Sequence, residues 1–265
     1  VRLLRKDRGF TVTTLATLAL CLGANVAIFA VVNSVLLKPL PFPEPERLVT
    51  MFNSYPGAGA PRAANGVPDY YDRLAETDAF EELAVYRNTG VTIGGQGASE
   101  AERLDAMAVS PSFFRALRVQ PLRGRLFSDA DGEVGQEQKV VLTYGLWQQL
   151  YGGRDEAVGQ DLRVNGRPFT VVGVLPERFR FVDPDVRLMT VVAFSPEDRG
   201  DDRRHSNNWQ MVGRLVPGAT VAQAQSQIDA LNARNLDRFP ALKEVLINAG
   251  FHTSVAVFQE DLVRE

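Results

Sequence analysis

Cysteine and histidine are almost missing from this chain: one cysteine, Cys21, and two histidines, His205 and His252, in 265 residues. A single cysteine excludes a disulfide framework and any zinc site built on thiolates. Two histidines leave little material for a histidine-rich metal centre. The common catalytic strings are missing as well: there is no G-x-S-x-G, no H-E-x-x-H and no G-x-x-x-x-G-K-[ST]. The glycine run at 94–97 (GGQG) is followed by neither a Lys-Ser/Thr pair nor a helical pattern, so it reads as a hairpin turn. Cys21 lies in an apolar stretch, where packing is its default role. His205 falls in the charged run PEDRGDDRRHSNN, which reads as a solvated loop. No catalytic, cofactor-binding or metal-ligating residue is therefore assigned from the sequence.

What is present is enough for a folded body. Apolar residues make up 45% and aromatics 9%, which excludes a disordered chain and allows one large domain or two small ones. The formal charge of −3 is uneven. Residues 1–8 hold four bases (Arg2, Arg5, Lys6, Arg8) against Asp7, and the remainder holds 25 bases against 31 acids. An acidic body cannot neutralise phosphate backbones, so nucleic acid is not an expected partner.

Residues 9–37 carry no charged side chain. As a helix these 29 residues span roughly 43 Å, more than the ~30 Å hydrocarbon core of a bilayer. A cleavable signal has an apolar region of only about 7–15 residues. A retained transmembrane helix over 10–37 is expected. The basic segment 1–9 precedes it and Lys38 is nearly alone after it, so positive-inside bias places the N-terminus in the cytoplasm and the body across the membrane. Ala19, Gly23 and Ala27 form a small-xxx-small face, and Asn25 and Asn33 are polar groups that need partners in hydrocarbon. These five residues are candidates for packing against further membrane helices.

The prolines of KPLPFPEPE suggest a stiff, extended linker over 38–46. A strand follows at 47–52. A helix is expected over 67–83, with Tyr71, Leu74 and Phe80 toward one side, and short strands at 84–88, 91–93 and 102–109. The middle reads as β-rich: a strand at 139–143, a helix in YGLWQQLYG, strands at 161–164 and 168–174 around Asn165-Gly166, and a strand at 186–194. Asn-Gly between two β runs marks a type I′ hairpin turn, since both positions need positive φ. Strand 209–216, a helix capped by Thr220 and running to about Phe239, and strand 253–258 complete the pattern. The order α/β, β-rich, α/β suggests one domain inserted into another.

Several long strings match a known pattern in order. LALCLGANVAIFAVVNSVLLKPLPFPEPERLV resembles the first membrane helix and exit segment of MacB-like permeases of the FtsX superfamily, including the duplicated orphan permeases common in Acidobacteria. The likeness continues through VSPSFFRALRVQPLRGRLF, VVLTYGLWQQLYGG, VGQDLRVNGRPFTVVGVLPERFRF and VGRLVPGATVAQAQSQIDAL. The resemblance implies an α+β fold: one transmembrane helix, then a periplasmic core domain with a porter-like α/β part and an inserted β-rich sabre-like part. Residues 47–109 and 208–258 would be porter-like, 110–196 sabre-like, and 197–207 a charged loop between them. Ser110, Pro111, Phe113, Phe114, Gly145, Trp147, Asn165 and Gly166 would be structural motif residues, with Gly145 and Trp147 at packing positions.

The resemblance further implies the N-terminal part of a longer ABC-type permease of the inner membrane, as a first residue of Val also suggests. Its outer domain would couple cytoplasmic ATP hydrolysis to export or lipoprotein handling by mechanotransmission. Expected partners are the remaining permease helices or a second permease copy, a separate ATP-binding subunit and a periplasmic adaptor. The permease itself would be no enzyme and would bind no ATP. An alternative is an FtsX-like regulator whose outer domain activates a cell-wall hydrolase; a membrane-anchored enzyme is the third reading.

Overall fold

A computed structural model describes residues 8–35, 40–94 and 101–262. The chain divides into two units, residues 1–40 and 41–265.

The first unit holds helix α1, Arg8–Val35. It starts two residues before the expected position, and residues 36–37 lie outside the described ones. Gly9–Val26 has the length and composition of a membrane span, with mean hydropathy 1.5. Its large side chains are exposed all round, Phe10, Leu15 and Leu20 among them. Thr13, Thr14 and Thr17 each donate to a carbonyl one turn back, so their hydroxyls are satisfied without water. Ala19 and Asn25 are exposed, and a Cβ at Gly23 would meet nothing within 4 Å. The side chains of Ala27 and Asn33 lie outside the described residues.

The second unit packs helices on one mixed sheet that has eleven strands among the described residues. At one end β11 (His252–Val257), β1 (Leu48–Tyr55), β10 (Gln210–Leu215) and β3 (Phe80–Gly94) lie side by side. The returning strand β10 sits between β1 and β3, pairing Leu48 with Arg214 and Tyr86 with Gln210. The sheet continues through β4 (Glu102–Val109), β9 (Leu188–Val191), β6 (Lys139–Leu142), β8 (Arg167–Val174) and β5 (Arg123–Gly124). β2 (Ala60–Ala63) pairs with β1, and β7 (Asp161–Val164) with β3 and β8. Among the described residues only β4–β9 and β6–β8 pair in parallel.

Two apolar cores form on this sheet. In the first, helix α2 (Val67–Glu76) and helix α5 (Val221–Arg238) set Tyr70, Ala224 and Ile228 against Met51, Leu83 and Met211. In the second, helix α4 (Tyr144–Tyr151) sets Leu146 and Trp147 against Leu142, Val171 and Leu188. The cores do not part at residues 109 and 110. β3 gives Leu83 and Val85 to the first core and Val91 and Ile93 to the second, while β4 gives Ala108 to the first and Leu104 and Ala106 to the second. A neck of continuous strands joins them.

Several expectations need correction. The helix at 67 stops at Glu76, because Thr77 turns extended and its Oγ1 donates to the Arg73 carbonyl at 2.6 Å. The following FEEL opens β3. The two short strands at 84–88 and 91–93 are one strand of 15 residues, whose ladder with β4 runs unbroken through Asn88-Thr89-Gly90. The buried side of α2 carries Val67, Tyr70 and Arg73, while Leu74 is exposed. The strand expected at 186–194 is confined to Leu188–Val191. Helix α6 (Pro240–Asn248) and helix α7 (Phe258–Leu262) were not read from the sequence. The proline linker is not extended where it is described: Glu44 is left-handed (φ 47°) and Pro45–Arg47 forms a 3-10 turn. The turn at 95–97 lies outside the described residues.

Asn165 (φ 50°) and Gly166 (φ 79°) form the two-residue turn between β7 and β8. Gly145 is exposed and a Cβ there meets nothing within 4 Å, so no packing contact explains it. Gly173 is different, since a Cβ would lie 2.0 Å from the Arg125 carbonyl oxygen. Gly173→Ala should cost more than about 2 kcal/mol in urea unfolding of the full chain, whereas Gly145→Ala in α4 should be neutral or gain up to about 1 kcal/mol. Equal effects would contradict this packing.

Candidate functional site

The segment that follows the apolar helix in sequence is docked on the body. Phe42 is buried, with its ring 6.2 Å from both Phe179 and Phe181. Arg47 donates twice to the Leu215 carbonyl, at 2.9 and 2.6 Å. Arg47 and Arg118 both pair with Glu44 and Glu81, closing a four-charge ring. Hydrogen bonding from Arg118, then from Arg47, holds the Glu81 carboxyl below the usual range. Such exposed pairs add little stability, but they fix where the segment lies. Beneath them Arg214 is fully buried, donating to Ala116 O at 2.7 Å and Glu44 O at 3.2 Å. Burial, then the charges of Arg118 and Arg47, pushes its pKa down.

The other end of the body meets the same ring cluster. Phe258, first residue of α7, stacks on Phe181 with centroids 5.4 Å apart and planes at 13°. Phe181 also meets Tyr86 at 5.0 Å and Phe113 at 4.9 Å, both edge-on. Each such pair contributes about 0.5–1.5 kcal/mol beyond its buried area. One half-buried phenylalanine thus touches the leading segment, the neck strand β3, helix α3 (Phe113–Leu117) and the trailing segment. Asp261 of α7 adds a two-pronged pair with Arg62, at 2.9 and 2.6 Å.

The Ser-Pro-Ser turn before α3 finishes the β3 ladder where β4 runs out. Ser110 N–H donates to Val85 O and its Oγ accepts from Val85 N–H at 3.1 Å. Ser112 Oγ donates to Leu83 O at 2.6 Å. The hydroxyls stand in for a missing strand, which seats Phe113 and Phe114 in the core.

Beneath the first core lies a polar hub. Arg73 is 1% exposed and donates to Asn65 Oδ1 (2.6 Å), Asn53 Oδ1 and Thr253 Oγ1 (3.1 Å each). Asp69 accepts from Asn53 Nδ2 at 3.2 Å and Gly66 N–H at 3.0 Å. Burial pushes the Arg73 pKa down, partly offset by Asp69. The run at 197–207 is not simply a solvated loop. Arg204 is buried against Asp72 (2.6 Å) and Asp201 (2.9 Å), because its charge compensates the acids of α2. His205, at φ 63°, meets the Tyr55 hydroxyl through Nδ1 at 2.8 Å. Burial raises the Tyr55 hydroxyl to about 12 and lowers the His205 pKa.

The motif residues are thus spread over three places. Ser110, Pro111, Phe113 and Phe114 join the neck, Gly145 and Trp147 belong to α4, and Asn165 and Gly166 form the β7–β8 turn. Trp147 is buried and donates to Arg154 O at 2.8 Å. Sequence reasoning missed Phe42, Phe181, Phe258, Arg73, Arg204 and Arg214. The asparagines in otherwise β-like strings were the one available signal for the hub.

The MacB-like periplasmic core domain family matches residues 11–231. The chain belongs to this family. The crystal structure of the periplasmic region of MacB from Actinobacillus actinomycetemcomitans shares its fold, with TM-score 0.53 and 13% identity over 83% of this chain and 93% of that one. The pyoverdine export ATP-binding/permease protein PvdT of Pseudomonas syringae pv. tomato (strain ATCC BAA-871 / DC3000) is 33% identical over 122 residues, 44% of this chain. PvdT of Pseudomonas syringae pv. syringae (strain B728a) matches to the same extent, and the matched part is 18% of either relative's length. The family is a periplasmic domain of ABC-type permeases, not a family of catalysts.

His205 sets a pH dependence. Its folded pKa lies below the ordinary 6.5, so the stability tied to keeping it neutral is present above pH 6.5 and lost as pH falls below that value. The groups around it are Asp69, Arg204, Arg73 and Tyr55. The urea midpoint of the full chain should fall between pH 7 and 5, and His205→Asn should flatten that slope. An unchanged slope in the variant would contradict the assignment.

Proposed function

We propose that this chain is the N-terminal part of an ABC-type permease whose periplasmic domain carries ATP-driven movement to an exported substrate or lipoprotein. Movement enters from an ATP-binding subunit or domain on the cytoplasmic side, where the basic residues before α1 hold the N-terminus. Ala19, Gly23, Asn25, Ala27 and Asn33 pack against the remaining permease helices or a second copy. The names of the PvdT relatives, which join ATP binding, permease and export, support this reading. In family terms the first core is the porter-like part and the second the sabre-like part, the boundary crossing β3 and β4.

The observation that carries the proposal is the shared docking of the leading and trailing segments on Phe181. A pull on the segment leaving α1 reaches Phe181 through Phe42. From there it passes to Phe258 and, through Tyr86 and Phe113, to the neck. The two ends of the body then follow the membrane helices together, and its neck is the natural place for the two cores to bend against each other.

Spin labels test this in the full-length permease, reconstituted with its ATP-binding part. With Cys21 replaced by Ala, labels go at the exposed sites Ser226→Cys on the first core and Gln148→Cys on the second. Trapping the nucleotide-bound state should shift the inter-label distance by several ångström. In Phe181→Ala the shift should disappear while ATP hydrolysis persists. Identical distances with and without nucleotide in the parent would contradict the proposal.

A further inference from the structure

The segment that leads into the body carries a conflict in its own backbone. Glu44 is left-handed (φ 47°, ψ 59°). Among the described residues the other non-glycines with positive φ are Asn165, Asn207 and His205, types that tolerate it, and Arg118, which ends α3. Glu44 has neither reason. Pro45 follows it, and a residue before proline is pushed towards the extended conformation. The alternating prolines of 39–45 favour the same stretched form. Glu44 is therefore held against its local preference.

Arginines hold it. The Glu44 carbonyl accepts from the Arg47 N–H at 3.1 Å and from Arg214 Nη1 at 3.2 Å. The Glu44 carboxylate pairs with Arg47 and Arg118, and Phe42, two residues earlier, adds its buried ring. Arg214 is itself poorly satisfied. It is fully buried, has no ion pair among the described residues, and its Nη2 has no hydrogen bond. A buried N–H without a partner is costly, and water reaching it removes that cost. Opposing forces thus act on the segment. Ring burial and weak exposed ion pairs favour docking, whereas backbone strain and a dehydrated arginine oppose it.

We propose that residues 41–46 form a latch with two states, the docked one described above and a released one. In the released state Glu44 is extended, Phe42 has left Phe179 and Phe181, and water reaches Arg214. Arg47, tied twice to the Leu215 carbonyl, is the pivot. Release lengthens the segment, because a polyproline chain advances about 3.1 Å per residue against about 2 Å in a 3-10 turn. On the transport reading, the docked latch passes movement of α1 to Phe181 and the released latch does not. The two states themselves need no nucleotide, so this test and the nucleotide test of the transport reading fail independently.

The test uses the full chain in detergent without nucleotide. With Cys21 replaced by Ala, spin labels go at the exposed sites Pro41→Cys and Ser226→Cys. The parent at low salt should show mainly one distance. Raising KCl from about 0.05 to about 1 M screens the ion pairs and should bring up a second distance. Glu44→Gln, which removes the carboxylate from an exposed site, should raise the ratio of second to first distance about tenfold. Glu44→Gly loses the same carboxylate but adopts the left-handed form without strain, so its ratio should lie about threefold or more below that of Glu44→Gln. Adding Pro45→Ala to Glu44→Gln, which alters no further charge, should also lower the ratio. An unchanged urea midpoint in each variant shows that the body stays folded. One distance in every variant and at every salt concentration, or equal ratios in Glu44→Gln and Glu44→Gly, would overturn the proposal.

Discussion

A single aromatic side chain, Phe181, holds both ends of the periplasmic body. It faces Phe42 from the segment that follows the apolar helix and stacks on Phe258 from the segment that closes the body. Ring contacts have preferred geometry and lose energy quickly when rings slide, so the two ends cannot shift independently without breaking them. The charged ring of Glu44, Arg47, Glu81 and Arg118 and the pair Arg62–Asp261 then fix orientation around that contact.

The rest of the body is arranged to receive such a constraint. Tyr86 and Phe113 bring the cluster onto β3, and β3 feeds both apolar cores. The first core is braced by buried polar groups around Arg73, where each donor has a partner on a different element. Removing one member would leave buried charge or amide groups unpaired, which is far more costly than losing an exposed ion pair. Among the described residues the second core has no comparable hub in its apolar interior and is held mainly by aliphatic packing around Leu142, Leu146 and Leu188.

Much of this was legible in the sequence, and the failures have physical reasons. The helix capped by Thr220, the strand 102–109 and the Asn165-Gly166 turn follow from local chemistry, because cap, alternation and positive φ need no distant partner. The length of β3 was hidden, since Asn88-Thr89-Gly90 reads as a breaker and only pairing with β4 makes it a strand. Arg73 sits at the inward side of α2, where periodicity counts apolar residues and so placed Leu74 instead. Arg204 was hidden by its neighbours: a run of alternating charges looks solvated until Asp72 and Asp201 are brought to it. Phe181 gave no signal, because its partners come from residues 42, 86, 113 and 258, far apart in the chain.

The most direct measurement is hydrogen–deuterium exchange on the full chain with Phe181→Ala. If one ring holds both ends, amides in residues 41–47 and in residues 256–262 should exchange at least tenfold faster together, while those of β6 and β8 keep their protection. Faster exchange at only one end, or at neither, would contradict the account.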